Sequence, residues 1–402
     1  MRFLHSSSLT VFTRLLSMGL TGLTTIIIAR TLGPSGQGII AAIIAFITLA
    51  IQFGSLGLYS SNIYFVSKNK NLFKKAAGNS LTIGILLGSG LLLLVLLSTK
   101  ISPQIYGNLS HWYLLIYAIA IPFILISQLF SGLLLAIDKI KEYNAINLTR
   151  SLFTIFGVSL LLLILKKGIL EIIFLSVSIE IFISFLYLLI AYSYKKFKLT
   201  FAKTFFIKMM KYGLKFYLAA QLAYLVYNFD IFMVNYFLGA NLTGIYSISA
   251  KMANSLLLIP GTIATIFFPK ASALGEKKAR LFTNKVLLGI LMIMFSGCLF
   301  SYFLAKPVML LLFGSAYLDS IFPFQILIPG IFFISLEIIL MTYFASRGMP
   351  LFAILAPLLG LMVNIILNIK FIPLYGINGA ALSSTIAYAF MFFMLFCYYL
   401  KR

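Results

Sequence analysis

Acidic residues are scarce in this chain: eight Asp and Glu stand among 402 residues, against 31 Lys and Arg. Charged residues make up only 10% of the sequence and hydrophobic ones 62%, which excludes an ordinary soluble domain. Cysteine is almost missing. Cys298 and Cys397 fall in different apolar runs, so neither a disulfide framework nor a metal-binding pair is expected. There is no Walker phosphate loop, and GPSGQG at 33–38 carries its glycines in the reverse order of a dinucleotide fingerprint. The longest outward-facing connection, about 99–111, is too short for a catalytic domain, and His111 is the only histidine expected on that side.

What is present is apolar sequence in long runs. A hydrocarbon core about 30 Å thick takes roughly 20 mostly apolar residues per helix. Twelve such runs lie near 9–29, 39–66, 78–98, 112–136, 146–165, 169–192, 213–238, 243–268, 286–305, 321–345, 351–369 and 374–400. Lipid offers no partner to open strand edges and the runs exceed barrel strands, so the fold expected is an all-α integral membrane protein with twelve transmembrane helices. The first run contains Arg14 and ends in IIIARTLG without a small-x-small cleavage pattern, so it reads as a retained helix rather than a signal peptide.

A net charge of +23 would suit a nucleic-acid binder if it gathered in one domain, but it alternates with the membrane sides. The N-terminus, the even-numbered loops and the C-terminus hold 23 of the basic residues, Lys139, Lys141 and Arg150 among them; the odd-numbered loops hold six, including Arg30. Both termini are therefore expected in the cytoplasm, with no nucleic-acid partner.

The chain repeats itself. LGPSGQGI at 32–39 returns as LGANLTGI at 238–245, Tyr106-Gly107 as Phe313-Gly314, and Ile121-Pro122 as Ile328-Pro329, at offsets of 206, 207 and 207. Six helices is an even number, so two six-helix lobes of equal orientation are expected, related by an axis along the membrane normal, as in two-lobed secondary transporters. We place the lobes at 1–192 and 213–402. Between them 193–212 forms a basic linker whose Lys203, Lys208, Lys211 and, just beyond it, Lys215 alternate with Phe and Met like an interfacial helix on membrane lipids.

The opening IIIARTLGPSGQGIIAAIIAFITLAIQFGSLGLYSSNIYFVSKNK, with its AR-x-LG-x-x-G-x-G hairpin, resembles the start of the polysaccharide flippases. These are the Wzx-type O-antigen and repeat-unit translocases of the multidrug/oligosaccharidyl-lipid/polysaccharide exporter superfamily. The second copy, FLGANLTGIYSISAKMANSLLLIPGTIATIFFPKAS, extends the resemblance over essentially the whole chain. It implies a non-enzymatic transporter that moves a polyprenyl-pyrophosphate-linked oligosaccharide from the cytoplasmic to the outer leaflet by alternating access, driven by H⁺ or Na⁺ and with no other cofactor. A polysaccharide polymerase and a chain-length regulator are the protein partners expected. Two rivals stand beside it: a drug or organic-cation antiporter of the same superfamily, and a polytopic polysaccharide polymerase or ligase.

Charged groups within helices mark candidate sites. Arg14 lies on a polar stripe with Thr10, Thr13, Ser17, Thr21 and Thr24, a spacing that puts them on one helix face; it either contacts the pyrophosphate that the resemblance implies or snorkels to the lipid head groups. Arg30, Lys251, Gln221 and Asn228 join it as cavity candidates, the last two on a stripe with Tyr217, Tyr224 and Asn235. Asp230 and Lys251 lie at similar depth on either side of a hairpin near Asn241, so an ion pair is one reading of both. The other joins Asp230 to Asn364, Asn368 and Ser384, oxygens of the kind a hard cation such as Na⁺ accepts. The resemblance implies a sodium site on these helices, although Asn368 stands where such a site has a carboxylate. At 100° per residue Asp230 points away from the stripe of its helix, into its own lobe, yet the repeat aligns it with Thr24, on the stripe of helix 1. Glu180 and Glu337 remain as proton sites, sugar contacts or partners of an arginine.

Overall fold

A computed structural model describes residues 2–101, 103–106 and 109–401. Gly107, Arg402 and the side chains of Arg2 and Lys215 lie outside the described residues. Thirteen α-helices, and no strand among the described residues, follow in order: α1 Arg2–Gly54, α2 Leu58–Lys68, α3 Phe73–Ile101, α4 His111–Ala118, α5 Ile121–Ala136, α6 Ile140–Ser159, α7 Ile169–Tyr194, α8 Lys203–Ser255, α9 Leu258–Ala273, α10 Glu276–Phe313, α11 Ile321–Ser346, α12 Leu351–Tyr375 and α13 Ile377–Lys401. Among the described residues ten stretches are long and apolar enough to span a membrane, and two of these, Thr10–Gly54 and Gln221–Ala273, each take in all or part of two of the twelve runs. Their internal turns fall at Gly33 (φ 66°, ψ −174°) and Gly239 (φ 76°, ψ −178°), a region that penalises a Cβ. These two glycines are related by the sequence repeat.

The protein is a multi-pass membrane protein. α10 leaves Met292, Phe300 and Phe303 more than 60% exposed, an apolar surface that only lipid would cover without cost.

The chain divides into two compact units: Met1–Gly36 with Ile43–Leu218, and Gln37–Ala42 with Ala219–Arg402. In the first unit α5 is the central helix, packed on α2, α3 and α7, with Phe130, Leu133 and Leu134 fully buried. In the second, α11 and α13 pack on each other, α12 packs on α13, and Ile334, Ile339 and Leu340 are fully buried.

Several helix bounds differ from the hydropathy runs, each for a local reason. The run 39–66 breaks at 55–57, where Leu56 and Gly57 take positive φ. The run 112–136 breaks into α4 and α5 just before Pro122, whose ring and missing N–H fit only a first turn. The helix expected from 146 begins at Ile140 instead. Glu142, Asn144 and Asn147 lowered its apparent hydropathy, but Asn144 is buried and donates from Nδ2 to Thr10 Oγ1 at 2.9 Å. Arg150, counted above as a loop residue, is therefore ten residues inside α6.

The linker is bound to the first unit by specific contacts. Asn79 accepts from the Ala202 N–H at 2.7 Å and donates back to its carbonyl at 3.3 Å, and Ser61 Oγ donates to the Met209 carbonyl at 2.6 Å. From Lys203 onward the linker is already α8, with Met209 buried against Leu58 and Leu129 while Lys203, Lys208 and Lys211 are exposed. This is the two-faced pattern of an interfacial helix.

Within the second unit the segment 37–42 packs on the second hairpin. Gln37 Nε2 donates to Ser247 Oγ at 3.3 Å, and a Cβ on Gly38 would lie 1.7 Å from the Ala240 carbonyl oxygen. No rotamer relieves a clash with backbone, so Gly38→Ala is expected to lower stability by about 2 kcal/mol or more. Thermal unfolding in detergent checks this; an unchanged midpoint would show that the approach is looser.

Candidate functional site

In the second unit four helical segments carry polar side chains to one buried point. Asp230 lies nine residues before the Gly239 turn and Tyr246 seven after it, so the hairpin returns them to nearly the same depth. Tyr246 donates its hydroxyl to Asp230 Oδ2 at 2.5 Å, and Ser384 on α13 donates to the same oxygen at 3.1 Å. Oδ1 accepts from the Ile231 N–H at 2.8 Å. Asn364 on α12 donates to Ser384 Oγ at 3.2 Å, and Asn368, one turn on, donates to Asn364 Oδ1 at 2.9 Å. A chain of donors thus runs from Asn368 through Asn364 and Ser384 to the carboxylate, and every member is at most 2% exposed.

The structure therefore brings Asp230, Asn364, Asn368 and Ser384 together. It also settles the direction of Asp230, which points into its own unit. Lys251 is not among the donors to Asp230, and its side chain is exposed. The ion-pair reading took Asn241 as the turn; with the turn at Gly239, Lys251 lies twelve residues in and Asp230 nine. Tyr246, seven residues past the turn, is the member that the sequence reading missed.

The carboxylate here is stabilised by neutral donors, an arrangement that can hold a proton or exchange donors for a cation. Asn368 Oδ1 is buried without a hydrogen-bond partner. An orphaned acceptor at the end of a hydrogen-bonded chain that leads through an amide and a hydroxyl to a carboxylate supplies oxygens of the kind a hard monovalent cation accepts. Of Asp230, Asn364, Asn368 and Ser384 only Asp230 is a carboxylate, so these four residues bring one negative charge.

The other candidates are dispersed. Arg14, Arg30 and Lys251 are exposed. Gln221 and Asn228 are half-buried, and Asn228 Nδ2 donates to the Tyr224 carbonyl in its own helix at 3.0 Å. Glu337 on α11 is 2% exposed. Glu180 on α7 is the partner of an arginine: Arg150 Nη2 lies 3.1 Å from Glu180 Oε2. That pair was hidden in the sequence because Arg150 had been counted in a loop.

Among the described residues the fold is an all-helical set of apolar spans with a repeated glycine-turned hairpin. The computed structure matches an inward-closed lipid II flippase MurJ with a TM-score of 0.83 at 18% identity, covering 98% of this chain and 87% of that one. It matches an inward-facing multidrug resistance MATE family transporter of the MOP superfamily equally well, with a TM-score of 0.83 at 13% identity over 98% of both chains. At these identities the likeness shows the fold alone. Family follows from the sequence: residues 27–322 match the polysaccharide biosynthesis protein family, and the chain belongs to it. A candidate O-antigen transporter of Shigella flexneri is 26% identical over 384 residues, 89% of this chain and 88% of that protein. An uncharacterized membrane protein of Methanocaldococcus jannaschii is 26% identical over 203 residues, 49% of this chain and 40% of that protein.

Proposed function

We propose that this protein flips a polyprenyl-pyrophosphate-linked oligosaccharide repeat unit from the cytoplasmic to the outer leaflet of the inner membrane, for O-antigen, capsule or exopolysaccharide synthesis. The observation that carries the reading is membership of a polysaccharide biosynthesis family together with end-to-end similarity to a candidate O-antigen transporter. The charges support it. Arg14, Arg30 and Lys251 supply cations of the kind a pyrophosphate needs, and the Asp230 and Glu180 carboxylates accept from donors inside the protein. A site for organic cations would want free carboxylates instead. Alternating access is coupled to an inward H⁺ or Na⁺ gradient through Asp230, with Asn364, Asn368 and Ser384 completing the site.

Deleting the gene tests the reading. Lipid-linked repeat units are expected to accumulate on the cytoplasmic leaflet while the surface polysaccharide is lost. A normal polysaccharide profile in a strain with no second flippase would overturn the proposal, and sensitivity to organic cations in that strain would point to the antiporter.

A further inference from the structure

The first unit contains a cavity of about 350 Å³, outside the site just described, with Arg150 and Glu180 among its lining residues. Its volume is at the lower end of small-molecule sites. Thr48, Gln128, Tyr143 and Asn147 also line it. Hydroxyl, amide and phenol groups make up most of the wall, with Ile47, Ile51 and Ile124 beside them, and the charges in its lining are the two members of one ion pair.

Two of the polar atoms are unpartnered. Arg150 Nε, a donor, and Gln128 Oε1, an acceptor, are both buried without a hydrogen-bond partner. Leaving such groups unsatisfied costs roughly 1–3 kcal/mol each, and sites that do so commonly await a ligand or water. Glu180 already neutralises the Arg150 guanidinium at 3.1 Å, so a phosphate would meet no net positive charge. A neutral molecule carrying both donors and acceptors suits the pair, and Tyr117, Tyr143 and Tyr187 bring aromatic rings to the same wall. The repeat gives the cavity no twin: at an offset of 207, Arg150 and Glu180 correspond to Pro357 and Ala387, which cannot form this pair.

We infer that this cavity of the first unit is a sugar subsite, which takes one neutral pyranose ring of the oligosaccharide between Arg150, Gln128 and the tyrosine rings. The inference rests on the flippase reading and adds that the head group is recognised by its sugar as well as by its pyrophosphate. Each ring hydroxyl is both donor and acceptor, so one ring satisfies Gln128 Oε1 and Arg150 Nε together.

The test is saturation-transfer NMR on the full-length protein in nanodiscs. The probes are the methyl glycosides of glucose, galactose, mannose, rhamnose, N-acetylglucosamine and N-acetylgalactosamine, with inorganic phosphate as the charged comparison. At least one glycoside should bind, and Gln128→Leu should weaken it about five- to tenfold, the loss of one hydrogen bond. Gln128→Leu keeps the side-chain volume and removes an unpaired acceptor, so it should fold; Thr48→Val, at another point of the wall, provides a second variant. No transfer to any glycoside, equal transfer in both folded variants, or displacement by phosphate at the same site would overturn the inference. The deletion phenotype separates it from the flippase reading. Lost polysaccharide without sugar binding removes only the subsite, whereas sugar binding with normal polysaccharide removes only the flippase.

Discussion

Asp230→Asn is expected to reduce gradient-driven transport about five- to hundredfold, the range of a typical coupling free energy, while the protein still folds. The asparagine amide oxygen can accept from Tyr246 and Ser384 as Oδ2 does, so most of the buried network survives. Its Nδ2 replaces Oδ1 beside the Ile231 N–H, setting donor against donor, at a cost of about 1 kcal/mol. What is lost is the charge. A neutral amide can neither release a proton nor attract a cation, so neither gradient can bias the conformational equilibrium. Transport in inside-out vesicles with an imposed gradient reads this directly, and undiminished transport would remove Asp230 from coupling. Asn368→Asp separates the ions. A second carboxylate one turn from Asn364 should make Na⁺ raise the unfolding temperature in proportion to its new affinity. If Na⁺ stabilises neither the parent protein nor this variant, the coupling ion is the proton.

The second large effect is expected at Arg150 and Glu180. Glu180→Gln leaves the guanidinium without its counter-charge inside the first unit, and removing one partner of a buried pair typically costs about 3–5 kcal/mol. Arg150 keeps 34% of its side chain accessible against 15% for Glu180, so water shares the burden and about 2–3 kcal/mol is expected. The double change Arg150→Met with Glu180→Leu should recover most of this, because well-packed apolar groups replace a buried pair at little cost. Thermal unfolding of Arg150→Met, Glu180→Leu and the double variant forms a cycle. Additive losses would mean that the two residues do not act as a pair.

Both clusters interrupt the internal repeat, which explains why they were unequally legible. The residues matching Asp230, Asn364, Asn368 and Ser384 in the first half are Thr24, Gly157, Leu161 and Val177, so this polar set belongs to one half alone. Asp230 was visible because a carboxylate in an apolar run is rare, and Asn364 and Asn368 because their spacing repeats one helical turn. Tyr246 was hidden, since a tyrosine among 22 carries no signal of its own. Arg150 was obscured in another way. A polar face turned inward, with Asn144 buried at 4% exposure, lowers hydropathy as a loop would, and a window average cannot tell the two apart.

Composition and the lengths of the apolar runs were enough to establish the membrane class and the helical state, and the recurrence of LGPSGQGI as LGANLTGI located the two hairpins. These depend on composition and on local backbone physics, which act over a few residues or over whole apolar runs. Only the tertiary structure decided that Asp230 bonds Tyr246 and Ser384 rather than Lys251, and that Arg150 faces Glu180 inside a polar cavity. Such choices depend on helix rotation and turn position to within one residue. A shift of a single residue turns a side chain by 100°, which is enough to exchange a buried partner for lipid.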